Sequence, residues 1–221
     1  MKLFEIKDLI KSGAFDTKFS VLYDSGAIHA QRERYISALD SFASIFGEER
    51  EVNIYSVSGR SELAGNHTDH NRGKVIAASI NLDIISVVSA NGTDVINLKS
   101  EGFSQLSIDY TKYCEPDEKH FGTSASLIAG MCQGFLANGH KIGGFDAYCT
   151  SSVLRGSGLS SSAAFEDMIG NILNHEFNNG AVSNVEIAQL AQFSENVYFG
   201  KPCGLMDQVA CAYGGIGTQW P

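Results

Sequence analysis

Three stretches of this chain gather side chains able to do chemistry. Residues 59–73, GRSELAGNHTDHNRG, set Arg60, Glu62, Asn66, His67, Asp69, His70 and Asn71 between three glycines, in a chain only 19% charged. A glycine-punctuated polar segment is either a solvated loop or a set of hydrogen-bonding partners for a polar ligand. Residues 154–164, LRGSGLSSSAA, run Gly156, Ser157, Gly158 and Leu159 into Ser160, Ser161 and Ser162. The serines open an apolar, helix-spaced run. A helix N-terminus offers unpaired N–H groups and a positive dipole end, and glycines let the backbone approach an anion closely. One capping serine accounts for one hydroxyl, not for three in series, so this stretch reads as a phosphate-binding loop in which a serine oxygen can also ligate Mg2+. It is not a Walker loop, because no Gly-Lys-Ser/Thr follows, and a serine stands where the dinucleotide fingerprint needs its third glycine. Residues 194–210, SENVYFGKPCGLMDQVA, place Glu195 and Asp207 twelve positions apart across a Gly-Lys-Pro turn. Two carboxylates so spaced can converge, one on a metal and one on a substrate; an aspartate after Leu-Met also serves as a helix cap.

The elements that must hold these stretches are legible from periodicity. Residues 3–13 have helical spacing and end in Ser-Gly. Residues 29–49 form a longer amphipathic helix with Tyr35, Leu39, Phe42 and Ile45 on one stripe and Gly47 as its stop. Residues 51–59 read as a strand, and 74–100 as two or three more, divided at Asn91-Gly92. A buried helix over 126–140, a strand over 144–153, a helix over 160–177 packed through Ala163, Ala164, Met168, Ile169, Ile172 and Leu173, and a helix over 184–200 follow. There is no repeat and no low-complexity linker, so the expectation is one continuous α+β domain. The last residues, ACAYGGIGTQWP, stop where a further strand is expected.

Composition excludes several partner classes. With 43% apolar residues the chain can bury a sizeable core, and 16 basic against 25 acidic residues, spread evenly, give a net charge of −9. Nucleic acids and anionic membranes need concentrated positive charge, so neither is expected as a partner. No long apolar run or leader pattern stands in the sequence, and the expected location is the cytoplasm. Five cysteines without C-x-x-C spacing argue against a disulfide framework or zinc site. Most are expected to be buried; Cys203, in its glycine-flanked turn, is placed where it can touch a ligand.

Taken together, the three stretches resemble the sugar kinases of the GHMP kinase superfamily, and galactokinases most closely. GRSELAGNHTDHNRG is similar to that family's G-R-x-N-L-I-G-E-H-T-D-Y-N-x-G signature, GSGLSSSAA to its nucleotide loop, and ENVYFGKPCGLMDQ to its third segment, in the same order over roughly residues 50–215. The resemblance implies a mixed sheet packed with helices, in the manner of a ribosomal protein S5 second domain, and ATP-dependent phosphorylation of a sugar at its C1 hydroxyl. By the same carry-over, Arg60 and Asp207 lie at that hydroxyl. Asn66, His67, Asp69 and Gly204 contact the sugar, residues 156–162 hold the ATP phosphates, and Ser162 and Glu195 hold Mg2+. The alternative is a galactokinase-like sugar sensor without catalysis.

The sequence departs from the family pattern at several points. Asn66 replaces the glutamate that accepts a hydrogen bond from the C6 hydroxyl, Glu62 replaces an asparagine and His70 a tyrosine. These changes leave open galactose, a C6-modified galactose or a uronic acid, with Glu62 as a possible substitute at C6. The glycine-rich segment of the family's C-terminal lobe is not in the sequence, so residues 1–221 are expected to be an N-terminal lobe that works with a C-terminal one.

Overall fold

The computed structural model describes residues 1–154, 156–214 and 216–219. Helices α1 (Leu3–Lys11), α2 (Asp16–Leu22) and α3 (Ile28–Phe46) lead into strands β1 (Asn53–Ala64), β2 (Val75–Ala90), β3 (Val95–Ser100) and β4 (Leu106–Asp109). Then come α4 (Ser124–Ala137), β5 (Phe145–Ser151), α5 (Ser161–Phe177), α6 (Asn184–Phe193), α7 (Met206–Tyr213) and β6 (Ile216–Gln219). The sheet order is β1-β2-β5-β3-β4, with β6 beside the first residues of β2. Only β3 and β5 run parallel, so the sheet is mixed as expected.

Helices cover both faces. Along β2, Ile84 and Val88 pack with α4 and α5, whereas Ile85 and Val87 pack with α1 and α3. With both faces buried, the Ile-Ile-Ser-Val-Val run is apolar at nearly every position rather than alternating. Residues 75–90 form one 16-residue strand, continuously buried over 83–89. On α3, Tyr35, Leu39 and Phe42 are buried and Gly47 closes the helix at φ +102°, but Ile45 is 39% exposed; Ala38 joins the buried stripe and Phe46 packs against it in the last turn. All six expected apolar residues of α5 are fully buried. Cys132, Cys149 and Cys211 are buried, Cys203 is half-buried and Cys114 is exposed.

One polar knot ties the N-terminal helices to the sheet. Asp83 on β2 accepts hydrogen bonds from Tyr23, from Ser56 Oγ at 2.6 Å and from Arg34 Nη1 at 2.5 Å. Arg34 also donates to the Asp83 and Thr150 carbonyls. Among the described residues, no helix is long and apolar enough to cross a membrane.

Candidate active site

Arg60 is the residue around which the site is assembled. It sits on β1 where the pairing with β2 slips, between Ser58↔Asp83 and Arg60↔Ser79. Such irregularities re-aim side chains. Gly59 lets the serine loop close onto the strand: a Cβ there would meet the Leu159 carbonyl at 2.8 Å, and Arg60 N donates to that same carbonyl at 3.2 Å. Arg60, 4% exposed, donates Nε and Nη2 to the two oxygens of Asp207 at 2.6 and 2.7 Å, and Nη1 to the Gly158 carbonyl at 2.6 Å. A bidentate guanidinium–carboxylate pair is the strongest and most directional ion pair available to side chains. Ser160 Oγ donates to Asp207 Oδ2 at 2.5 Å. Three stretches far apart in sequence therefore meet at one carboxylate.

This environment sets the acidity of Asp207. Burial pushes its carboxyl up, but the hydrogen bonds from Arg60 and Ser160 and the Arg60 charge outweigh burial and hold it below the usual carboxylate range. Asp207 is therefore a weak base and a good orienting acceptor. It occupies the first turn of α7, as the helix-cap reading also allows, yet its oxygens face Arg60 and Ser160.

The serine loop enters α5 in a strained conformation. Ser160 precedes the helix at φ +58° and makes no side-chain capping bond, so its hydroxyl is not the N-cap that a simple helix start would use. Gly156 and Gly158 also adopt positive φ, at +74° and +76°. Ser157 Oγ donates to the Leu154 carbonyl at 2.6 Å, which closes the loop on itself. Ser161 and Ser162 open the first turn of α5. Ser162 Oγ donates to Glu195 Oε1 at 3.1 Å.

Glu195 belongs to a wide turn, Ser194–Tyr198, that prolongs α6. Its carboxylate is buried; Oε2 accepts from Gln208 Nε2 at 2.9 Å, and Oε1 also meets Lys201 Nζ at 3.0 Å. Glu166, one turn beyond Ser162 on α5, completes this acidic corner. Burial first, and then the charges of Glu195 and Asp167, raise its carboxyl well above the usual range. Glu166 Oε1, Gln208 Oε1 and both oxygens of Asp167 have no hydrogen-bond partner among the described residues. Sequence reasoning missed Glu166, Asp167 and Lys201. The available signal was acidic residues interrupting the apolar stripe of α5, and in particular Glu166 four positions after Ser162.

The polar loop after β1 forms the third side. Asn66 and His67 both adopt left-handed backbone, φ +60° and +52°. Glu62 stabilises this turn, accepting from His67 N at 2.7 Å and pairing with His67 Nε2 at 3.1 Å. His70 Nδ1 bonds to the His67 carbonyl at 2.7 Å. Asp69 accepts from Met206 N at 3.0 Å and packs so closely on Gly204 that a Cβ there would collide with the carboxylate. The turn before α7 is tied down by Asn196, which accepts from Cys203 N at 2.7 Å. The structure thus joins Arg60, Asp207, Gly158 and Ser160 directly, Asp69 to Gly204 and Met206, and Ser162 to Glu195; Asn66 is exposed at the loop tip. A separate cavity of about 860 Å3 runs along the open edge of β1, between the end of α2 and α7, and none of these site residues lines it.

The mixed sheet, with this serine loop opening α5 and an acidic turn beside it, is similar to the N-terminal domains of GHMP kinases. The GHMP kinases N terminal domain family matches residues 126–215, and the galactokinase galactose-binding signature matches residues 40–90. Within that superfamily the chain is galactokinase-like. It is 34% identical to the galactokinase of Clostridium tetani over 176 residues, covering 78% of this chain and 43% of that protein. It is 32% identical to the galactokinase of Lactococcus lactis strain IL1403, covering 86% of this chain and 48% of that one. The crystal structure of Lactococcus lactis galactokinase complexed with galactose superposes with a TM-score of 0.74 at 32% identity, over 81% of this chain and 47% of that chain. Methanococcus jannaschii mevalonate kinase shares the fold, with a TM-score of 0.65 at 20% identity over 77% of this chain and 54% of that chain. The chain spans about half the length of the curated relatives it matches.

Proposed function

We propose that the protein transfers the γ-phosphoryl group of ATP to the C1 hydroxyl of galactose. The observation that carries this reading is the Arg60–Asp207 pair, bonded on one side to the serine loop through Gly158 and Ser160. Phosphates held by the amides of residues 156–162 at the start of α5 would then lie next to the group that orients the acceptor hydroxyl. Asp207 accepts the C1 hydroxyl's hydrogen bond and aims its oxygen. Its lowered pKa suits positioning rather than early deprotonation, and a loose phosphoryl-transfer transition state asks for little more. Arg60 stabilises the charge that develops between hydroxyl and phosphate.

The donor set of Ser162 and Glu195 fits magnesium, which binds through one or two protein oxygens and completes its shell with phosphate and water. Held there, the ion would neutralise phosphate charge. Asp69 and His67 meet the sugar hydroxyls, with the ring over Gly204. A neutral C6 is favoured over a uronic acid. Glu62 stays bound to His67, so a carboxylate on the sugar would enter a loop that already carries Glu62 and Asp69.

ADP release by the full-length gene product, with Mg-ATP and a panel of galactose, galacturonate and C6-modified galactoses, tests this reading. Turnover greatest on galactose supports it. Turnover on galacturonate alone would return Asn66 to the role of specificity switch, and sugar binding without any turnover would overturn the kinase assignment.

A further inference from the structure

The Glu195 carboxylate is 2% exposed, yet the cation that faces it is borne on a side chain 63% exposed. Lys201 reaches back because the chain reverses at Gly200, φ +78°, and because Lys201 N donates to the Glu195 carbonyl at 3.1 Å. Its ammonium stands 3.0 Å from Oε1, the oxygen that also accepts from Ser162. The other oxygen is taken by Gln208. Gln208 is neutral, so Lys201 is the positive group bonded to a buried carboxylate that would otherwise be uncompensated.

We propose that Lys201 is a tethered counter-cation of Glu195 that a divalent ion must displace, which makes it a residue that sets the protein's affinity for metal. This rests on the reading of Ser162 and Glu195 as magnesium ligands. A lysine ammonium is a compact point charge on a flexible stem, and when largely solvated it leaves a partner at small cost. Two cations on one carboxylate oxygen repel each other, so metal entry and Lys201 release are one event. Between turnovers the ammonium holds the Glu195 carboxylate where it faces Ser162. The metal-binding equilibrium carries the cost of removing it.

The test is titration of the full-length gene product with MnCl2 in the absence of nucleotide, with free Mn2+ followed by electron paramagnetic resonance. Lys201→Met is expected to bind Mn2+ about two- to fivefold more tightly than the wild type, the worth of a largely exposed ion pair. Lys201→Arg is expected to bind no more tightly than the wild type. Damage to the fold would weaken binding, so a gain cannot come from that source. Equal or weaker binding by Lys201→Met, including no detectable binding in either protein, overturns the inference. Glu195→Gln separates the two levels: if it leaves Mn2+ binding intact, the metal-ligand reading itself fails. If it abolishes binding while Lys201→Met shows no gain, only the role of Lys201 fails.

Discussion

Two buried acidic centres invite comparison. At Asp83, both carboxylate oxygens are engaged, by Arg34, Tyr23 and Ser56, and the backbone on either side is held by Ser152 and Arg34. On α5, Glu166 and Asp167 are fully buried, yet three of their four oxygens lack partners among the described residues. Buried polar groups are nearly always satisfied in native proteins, because an orphaned one costs free energy. A completed network such as that of Asp83 stabilises the fold. Glu166, one member of the incomplete one, lies beside Gln208 and Glu195. Stability is spent there to keep polar groups available, and the difference separates architecture from site more sharply than burial does.

The comparison can be broken in several places. Asp83→Ala should carry the largest effect, a loss of about 3–5 kcal/mol in urea unfolding as Arg34 and Tyr23 lose their buried partner, with turnover per folded molecule unchanged. A cost under about 1 kcal/mol would erase the distinction between the two centres. Arg60→Ala should lower turnover by about 10²–10³-fold, measured as ADP release, while melting changes far less than in Asp83→Ala.

Asp167→Asn should stabilise the protein at neutral pH by about 1–3 kcal/mol, because burial alone raises the Asp167 carboxyl well above its ordinary value. The sign follows from the raised native pKa. The wild type keeps its full stability below the unfolded carboxylate's pKa and loses it as pH rises toward the native value. The advantage of asparagine should therefore be absent in acid and grow with pH in thermal melts. Equal melting at pH 4 and pH 7.5 would mean that Asp167 is satisfied after all. The smallest effect is expected for Glu62→Gln, which loosens the partly exposed Glu62–His67 pair. It should raise KM for galactose about two- to fivefold with kcat unchanged.

Much of this was legible before the structure. The β2 run, the α5 stripe and the Gly47 stop follow from local pattern, and the three chemical stretches announced themselves by residue type. What local pattern could not supply was contact between stretches. Asp207 alone reads equally well as a helix cap; only its meeting with Arg60 from β1 decides its role. Glu62 was open as a C6 partner, and its bonds to His67 depend on two consecutive left-handed residues that no spacing rule predicts. Ile45 fits the α3 stripe, yet in the last turn it is Phe46 that packs against the core, and Ile45 is left 39% exposed at the flank. Helices α2 and α7, at seven and eight residues, span only about two turns, too little for a helical period to register, and the four-residue β4 is too short to show alternation. Asp167 is the reverse case, a charged residue where helical pattern demands an apolar one.

The bonds of Arg60 to Asp207 and to Gly158, with Ser160 closing on the same carboxylate, carry a consequence for descent. Losing any one member leaves the others facing groups they can no longer satisfy, so the first substitution is penalised heavily and later ones hardly at all. Such a trio does not erode one residue at a time. Lineages are expected to retain it whole or discard it whole, and a descendant carrying a single altered member should be scarce, with its companions free to drift soon afterwards.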